Sequence, residues 1–357
     1  MVPPLRSTPE VPATEGEEHH VEAHDHRPSH RSARVPAHGA PSGHGRTSAI
    51  ATRAETLLVP IFVVVGVVGV ALPSPARALD RAGAVDPTLA VLVLSAGMTV
   101  DVRHLRHAVR HWTRIAIVLL ASSVVLPGLA WALSHLVSGA LRDGVLALGV
   151  APSEVASLGF AAIGGGEVSV AVALLVGSSL VTVLAGGPVL GALSGVPSVH
   201  PAGVVVTLVL VVGLPLVAGM ALRHALGSRA GALDGGRLVS ATVLVVLLWE
   251  VAGQVQLHAA YLAVVGALCG FLAGAGALGW VLTRGVRPSL QVGLALPTAM
   301  RDFAVAAGIA TSAFGVRAAG PLGVYGVLVL VLGGLGARAM ASAGRTPRRH
   351  ARCPGVP

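Results

Sequence analysis

Three ionisable side chains stand where ionisable side chains are costly. Glu154 lies inside GVLALGVAPSEVASLGFAAIGGG, and Arg301 and Asp302 lie inside SLQVGLALPTAMRDFAVAAGIATSAFG. Both stretches are otherwise apolar, and a charge at the centre of a membrane helix costs about 2.5 kcal/mol or more even on insertion scales. Such residues persist where they pair with one another or line a pathway. The chemistry open to them is ionic. The Arg301 guanidinium can take a carboxylate, either that of Glu154 or that of a solute, and Glu154 or Asp302 can carry a proton. We expect a Glu154–Arg301 ion pair where the two stretches cross, with a purely fold-locking role as the structural alternative.

Hydroxyls near these charges extend the candidate binding set to Ser157, Thr298, Ser122 and Ser178. In membrane helices such groups more often tie helices together than hold ions. Glu250, beside Trp249, reads as interfacial. Asp101 with the following VRHLRHAVRHW reads as an amphipathic loop facing anionic headgroups, not as a histidine metal site. Cys269 and Cys353 make neither a disulfide framework nor a CxxC site. No HExxH or nucleophile set is present, so we expect no enzyme and no cofactor beyond a coupling ion.

The elements that must hold these groups are membrane helices. The chain has 357 residues, 54% hydrophobic and 11% charged, with a mean hydropathy of +0.78. That is far too apolar for a soluble domain of this length, so the bilayer is the expected solvent. About ten spans follow, centred near Val65, Leu94, Val125, Ala151, Val176, Val211, Val245, Gly270, Thr298 and Leu328. Proline removes a backbone donor and pushes its predecessor out of the helical region. The fourth span should therefore break at Pro152 and the ninth at Pro297. If residues 55–342 form two five-span repeats, 55–196 and 200–342, the breaks occupy corresponding places. Matched breaks with polar residues mark the binding site of an inverted-repeat transporter, since broken backbone is tolerated in a membrane only against protein or a wet cavity. Ordinary proline kinks are the bland reading.

The formal charge is +9. Every basic residue among Lys and Arg is arginine, and there is no aromatic-studded basic groove, so nucleic acid is not an expected partner. Arginines cluster at 103–114, at 223–237, at 284–287 and in both tails, which the positive-inside rule places in the cytoplasm. The expected setting is the plasma membrane, crossed an even number of times with both termini inside. Residues 1–54 carry Pro, Gly, Ser and His without a hydrophobic period, the composition of a disordered tail. Residues 343–357 read as a short basic tail. Oligomeric state is left open.

The sequence resembles the bile acid:sodium symporter family, within a wider group that includes arsenite and auxin-type carriers. LAVLVLSAGMTVDVRHL is similar to the family's second span, and VAPSEVASLGFAAIGGGEVSVAVAL to its fourth and fifth. LPLVAGMALRH is similar to its sixth, and ALPTAMRDFAVAAGIATSAFG to its ninth. The resemblance implies an all-α membrane protein of ten helices in two inverted five-helix repeats. It also implies a panel and a core domain, with broken fourth and ninth helices crossing at the transport site. It implies sodium near Ser157, the serine of the family's serine-asparagine pair. The asparagine position holds Leu158, and the fifth-span hydroxyl positions fall on Ala171 and Leu175. The family's third-span glutamine falls on Ser122. In the ninth span its acidic residue falls on Pro297, and its glutamine and asparagine fall on Arg301 and Asp302. An arginine repels a cation, so the coupling ion is sodium or a proton. The expected function is secondary active transport of a small organic solute, an organic anion held by Arg301. The other class considered is a non-transporting membrane sensor or scaffold that keeps the fold.

Overall fold

Long apolar runs become helices in a lipid setting because only internal hydrogen bonds can satisfy their backbone. The computed structural model describes residues 60–100, 106–195, 201–227, 234–255 and 259–344, and their regular elements are all helical. The tail 1–54, Asp101 and the tail 343–357 lie outside the described residues, apart from the last two residues of the final helix.

The helices are α1 (Pro60–Ala71), α2 (Pro73–Arg81), α3 (Val85–Thr99), α4 (Trp112–Ser134), α5 (Ala140–Val150), α6 (Ser157–Ile163) and α7 (Val168–Ser194). They continue as α8 (Pro201–Leu208), α9 (Leu214–Leu226), α10 (Asp234–Ala252), α11 (Ala260–Leu282), α12 (Pro288–Ala299), α13 (Phe303–Phe314) and α14 (Gly320–Gly344). A π-helical turn, Val209–Gly213, joins α8 to α9. Five described helices are long and apolar enough to cross a bilayer: Arg106–Ser134, Val168–Ser194, Ala202–Leu226, Ala260–Leu282 and Val316–Ser342. A sixth span arises if α1 and α2, bent by 88° at Leu72, are taken together. The exposed faces are apolar, with Leu262 80% and Val124 74% exposed, so their natural solvent is hydrocarbon. Arg106, expected in a loop, already lies in helix.

Packing sorts the helices into two groups. In the first, α3 lies against α9 and α10, and α10 touches α2. The α3–α9 contact is close because glycines face each other. A Cβ on Gly97 would come 2.5 Å from Leu216 O, and one on Gly219 would strike Leu94 O. Small residues take this role where lipid removes the hydrophobic drive between helices. In the second group α4 packs on α5, α7 and α11, α12 on α7 and α11, and α14 on α5, α6 and α13. Glu250, expected at the interface, lies in the last turn of α10 and is 1% exposed. The bend at Leu72 brings α2 against the end of α10, where a Cβ on Gly253 would strike Ala76, while Gly323 of α14 abuts Ala252 from another side.

Contacts between connections mark the two ends of the bundle. At one end Glu167, which precedes α7, meets His111 before α4 at 3.5 Å and Arg287 before α12 at 3.4 Å. At the other, Arg77 Nε donates to Gly253 O at 3.1 Å, and Gly144 abuts Ala318. The Gly164–Gly166 run permits the first contact. A Cβ on Gly166 would lie 2.8 Å from Gly293 N, and Glu167 N donates to Ser289 O at 2.9 Å.

Gly219→Leu is expected to force α3 and α9 apart and cost about 1–3 kcal/mol, read as a lower melting temperature of the detergent-solubilised protein. Gly266→Leu, which meets nothing within 4 Å, serves as the matched control with little change.

Candidate functional site

α5 and α12 enter the interior from opposite ends and both stop there. After Val150 the chain turns extended at Ala151, with ψ 152°, and resumes as α6 at Ser157. Pro152 thus sits in a true helix break, as its chemistry requires. The second break differs from expectation. Pro297 lies inside α12, which continues to Ala299, and the extended residues are Met300, Arg301 and Asp302. A proline forfeits the bond its own N–H would make and crowds the carbonyl one turn back, yet the next turn closes, with Met300 N donating to Leu296 O at 3.0 Å.

The two breaks pair with each other. Ser153 and Arg301 face one another as an antiparallel bridge. Glu154 N donates to Met300 O at 3.0 Å, and Asp302 N donates to Pro152 O at 2.9 Å. This exchange has a local two-fold symmetry that maps Ser153 onto Arg301 and Glu154 onto Asp302. The symmetry extends to the supports. Ser153 N donates to Ser178 Oγ of α7 at 3.0 Å, and Arg301 N donates to the Tyr325 hydroxyl of α14 at 3.1 Å. At the end of α5, Val150 O accepts from Thr182 Oγ1 at 2.9 Å and Ala151 O from Arg301 Nη1 at 3.1 Å.

Glu154, Arg301 and Asp302 are all buried, at 0%, 4% and 2% exposed. The expected Glu154–Arg301 ion pair does not form, because the half-helices supply other partners. Asp302 caps α13, with Oδ1 accepting from Ala304 N and Val305 N, both at 2.9 Å. Glu154 accepts from Phe303 N and Ala156 N, each at 3.4 Å. Both carboxylates therefore lie at helix N-termini, and the guanidinium lies at the C-terminus of α5, each where the helix dipole favours its charge. Arg301 Nε has no hydrogen-bond partner, and neither does the buried Ser157 Oγ.

The crossing brings together Pro152, Glu154, Arg301, Asp302 and Ser178. Ser157 stands one turn beyond, its N–H on Glu154 O at 3.1 Å. Two expected members turn to their own helices instead: Thr298 Oγ1 donates to Leu294 O at 2.7 Å, and Ser122 Oγ to Leu119 O at 3.0 Å. It is Ser123, not Ser122, that borders a small cavity beside the crossing, which Ser178, Thr182 and Arg301 also line. Tyr325 was not among the expected site residues. It is one of only two tyrosines in the chain, and a phenol hydroxyl in an apolar span must find a partner, which is the signal that points to it.

Residues 86–269, just over half of the chain, match the model of the Sodium Bile acid symporter family. The chain belongs to this family. It is a membrane protein and a transporter of the sodium bile acid symporter family, with Ser122, Glu154, Ser157 and Ser178 inside the matched stretch. Among curated proteins none matches it. The resemblance puts a sodium near Ser157. A hard cation takes several oxygens, and beside Ser157 Oγ the matching positions are Leu158 and the buried Ala171 and Leu175. Among the described residues no three His, Cys, Asp or Glu side chains gather for a metal.

Tyr325→Phe leaves the buried Arg301 N–H without an acceptor, and Ser178→Ala does the same to Ser153. Each is expected to cost about 1–3 kcal/mol in chemical denaturation. The double variant should lose more than the sum, because both bonds hold one crossing.

Proposed function

We propose that the protein is a secondary active transporter of a small organic anion, working by alternating access about the Ser153–Arg301 crossing. The observation that carries this reading is Arg301, a buried guanidinium with no acidic partner among the described residues, held beside a cavity at the meeting of two broken helices. Broken half-helices around a polar site are how such carriers build binding sites away from water.

In this reading the chain from 55 to 342 forms ten membrane segments in two inverted repeats, 55–196 and 200–342. The local two-fold of the crossing supports it, as do the connections that gather at two opposite ends. The α1, α2, α3, α8, α9 and α10 group serves as the panel and the remaining helices as the core, one moving against the other. Both termini lie in the cytoplasm of a cell bounded by the plasma membrane, with Arg287, His111 and Glu167 on that side. Arg301 is the partner of the solute carboxylate, while Ser178, Glu154 and Asp302 hold the crossing in shape. Sodium or a proton is the coupling ion. The apolar side chains at Leu158, Ala171 and Leu175 favour the proton, for which Glu154 and Asp302 are the carriers.

The test is uptake of labelled organic anions into proteoliposomes, with and without sodium and with an imposed pH gradient. Arg301→Gln should lower uptake about tenfold or more, the worth of a charge-assisted hydrogen bond, while melting near the wild-type temperature. Normal uptake by that variant would remove the proposal's basis. Ligand binding without uptake by the wild type would point to a sensor that keeps the carrier fold.

A further inference from the structure

The helix that contains α4 is longer than a membrane needs. It runs from Arg106 to Ser134, 29 residues, or about 43 Å at 1.5 Å per residue. From Ile115 to Ser134 it carries no ionisable side chain, and that stretch alone is about 30 Å long, the thickness of the hydrocarbon core. Arg106, Arg110 and Arg114 therefore stand on the turns that project into the headgroup layer, all of them exposed. Trp112 is exposed among them, and its amphipathic ring suits that depth.

A second set of arginines meets the first. Ile115 and Leu119 of α4, and Leu282 and Val286 at the end of α11, pack against one apolar cluster that includes Val118 and Leu290. Arg114 and Arg284 thus stand above a shared seam. Arg287 Nη2 lies 3.5 Å from His111 Nε2, which ties the start of α12 to the start of α4. In the connections 106–114, 164–167 and 283–287, five arginines meet one carboxylate, that of Glu167. Glu167 is already shared by His111, Arg287 and Ser289. Arg114 and Arg284 have no acidic partner among the described residues. The opposite end is better matched, for Arg77 donates to Gly253 O and Arg142 lies beside Asp143.

Unmatched guanidiniums at this depth face lipid phosphates, whose oxygens fit the guanidinium fork. On the same two helices the exposed side chains nearest the arginines include Ile117 and Leu120 of α4 and Val281 of α11. A soluble anion leaves such side chains uncovered, whereas acyl chains cover them.

We infer that the seam of α4 and α11 binds an anionic phospholipid, its phosphate on Arg114 and Arg284 and its acyl chains against the apolar faces next to them. A zwitterionic lipid carries its own cation beside the phosphate and gains less from the arginines. The site lies away from the crossing and is independent of the solute carried there.

The experiment uses the full-length protein in detergent, with native mass spectrometry for lipid retention and the melting temperature for binding. Phosphatidylglycerol is compared with phosphatidylcholine, and glycerol 3-phosphate and inorganic phosphate serve as soluble phosphates. Phosphatidylglycerol should be retained and should raise the melting temperature, and the other three should do so much less. Arg114→Gln and Arg284→Gln should each weaken phosphatidylglycerol binding about fivefold, and together about 25-fold. Both are surface changes, so the melting temperature without added lipid should stay near that of the wild type. Arg317→Gln, an exposed arginine at the opposite end, should leave binding unchanged. The inference is overturned if phosphatidylcholine binds as well as phosphatidylglycerol, or if the double variant keeps the wild-type affinity. Equal stabilisation by a soluble phosphate overturns it in favour of a soluble anion. An equal loss in Arg317→Gln overturns it in favour of a general charge effect.

Discussion

A backbone that leaves the helix inside an apolar protein must find a partner for every N–H and C=O it exposes, since no water or lipid group will serve. The crossing answers this need with its own symmetry. Each extended segment supplies one donor and one acceptor to the other, through Glu154 N on Met300 O and Asp302 N on Pro152 O. The N–H groups that this exchange leaves over fall to Ser178 and Tyr325, and the carbonyls at the end of α5 fall to Thr182 and Arg301. The rest of the second helix group follows from these bonds, for α7 and α14 must pack against the crossing to deliver their hydroxyls. Remove the pairing and two half-helix ends lie unsatisfied in the interior, at a cost of about 1–3 kcal/mol for each orphaned group.

The same constraint disposes the charges. Four helix ends meet near one point, two presenting unpaired N–H groups and two presenting carbonyls. Carboxylates at Glu154 and Asp302 go to the first kind, and the guanidinium of Arg301 goes to the second. Opposite charges so placed need not touch. That explains how three ionisable side chains share a buried site without an Arg–carboxylate contact, and why the arginine keeps an unpartnered donor. An ion pair would have neutralised Arg301 internally. Dipoles steady it and leave it able to bind an anion.

Much of this was legible from residue types. Interrupted apolar runs with Glu154, Arg301 and Asp302 inside them marked the site, because charges in lipid need a reason. Pro152 marked its break. The second break was misplaced by three to five residues, since Pro297 was read as a stop when a helix can absorb one lost hydrogen bond and close its next turn. The ion pair was misread because sequence shows opposite charges at matching depth but not the helix ends lying between them. Glu250 looked interfacial from its place beside Trp249. Its burial among neighbouring helices has no signature in the α10 sequence. Ser122 and Ser123 are adjacent, and which of them reaches the cavity is settled by helix rotation, which the near-uniform apolarity of α4 does not encode.

The two-fold of the crossing holds for its backbone and fails for its side chains, and this contrast bears on function. Ser153 corresponds to Arg301, Pro152 to Met300, and Ser178 plays the part of Tyr325. Because main-chain bonds and the two hydroxyls hold the segments together, the residue at the centre of each segment is not required for the pairing itself. A serine suffices at one centre. A guanidinium at the other carries a full charge, and burying it to 4% exposure opposes folding. The one bond it gives Ala151 O could come from a neutral donor without that cost. The arginine therefore gives an otherwise symmetric backbone crossing a polarity, with its guanidinium on the side of α5.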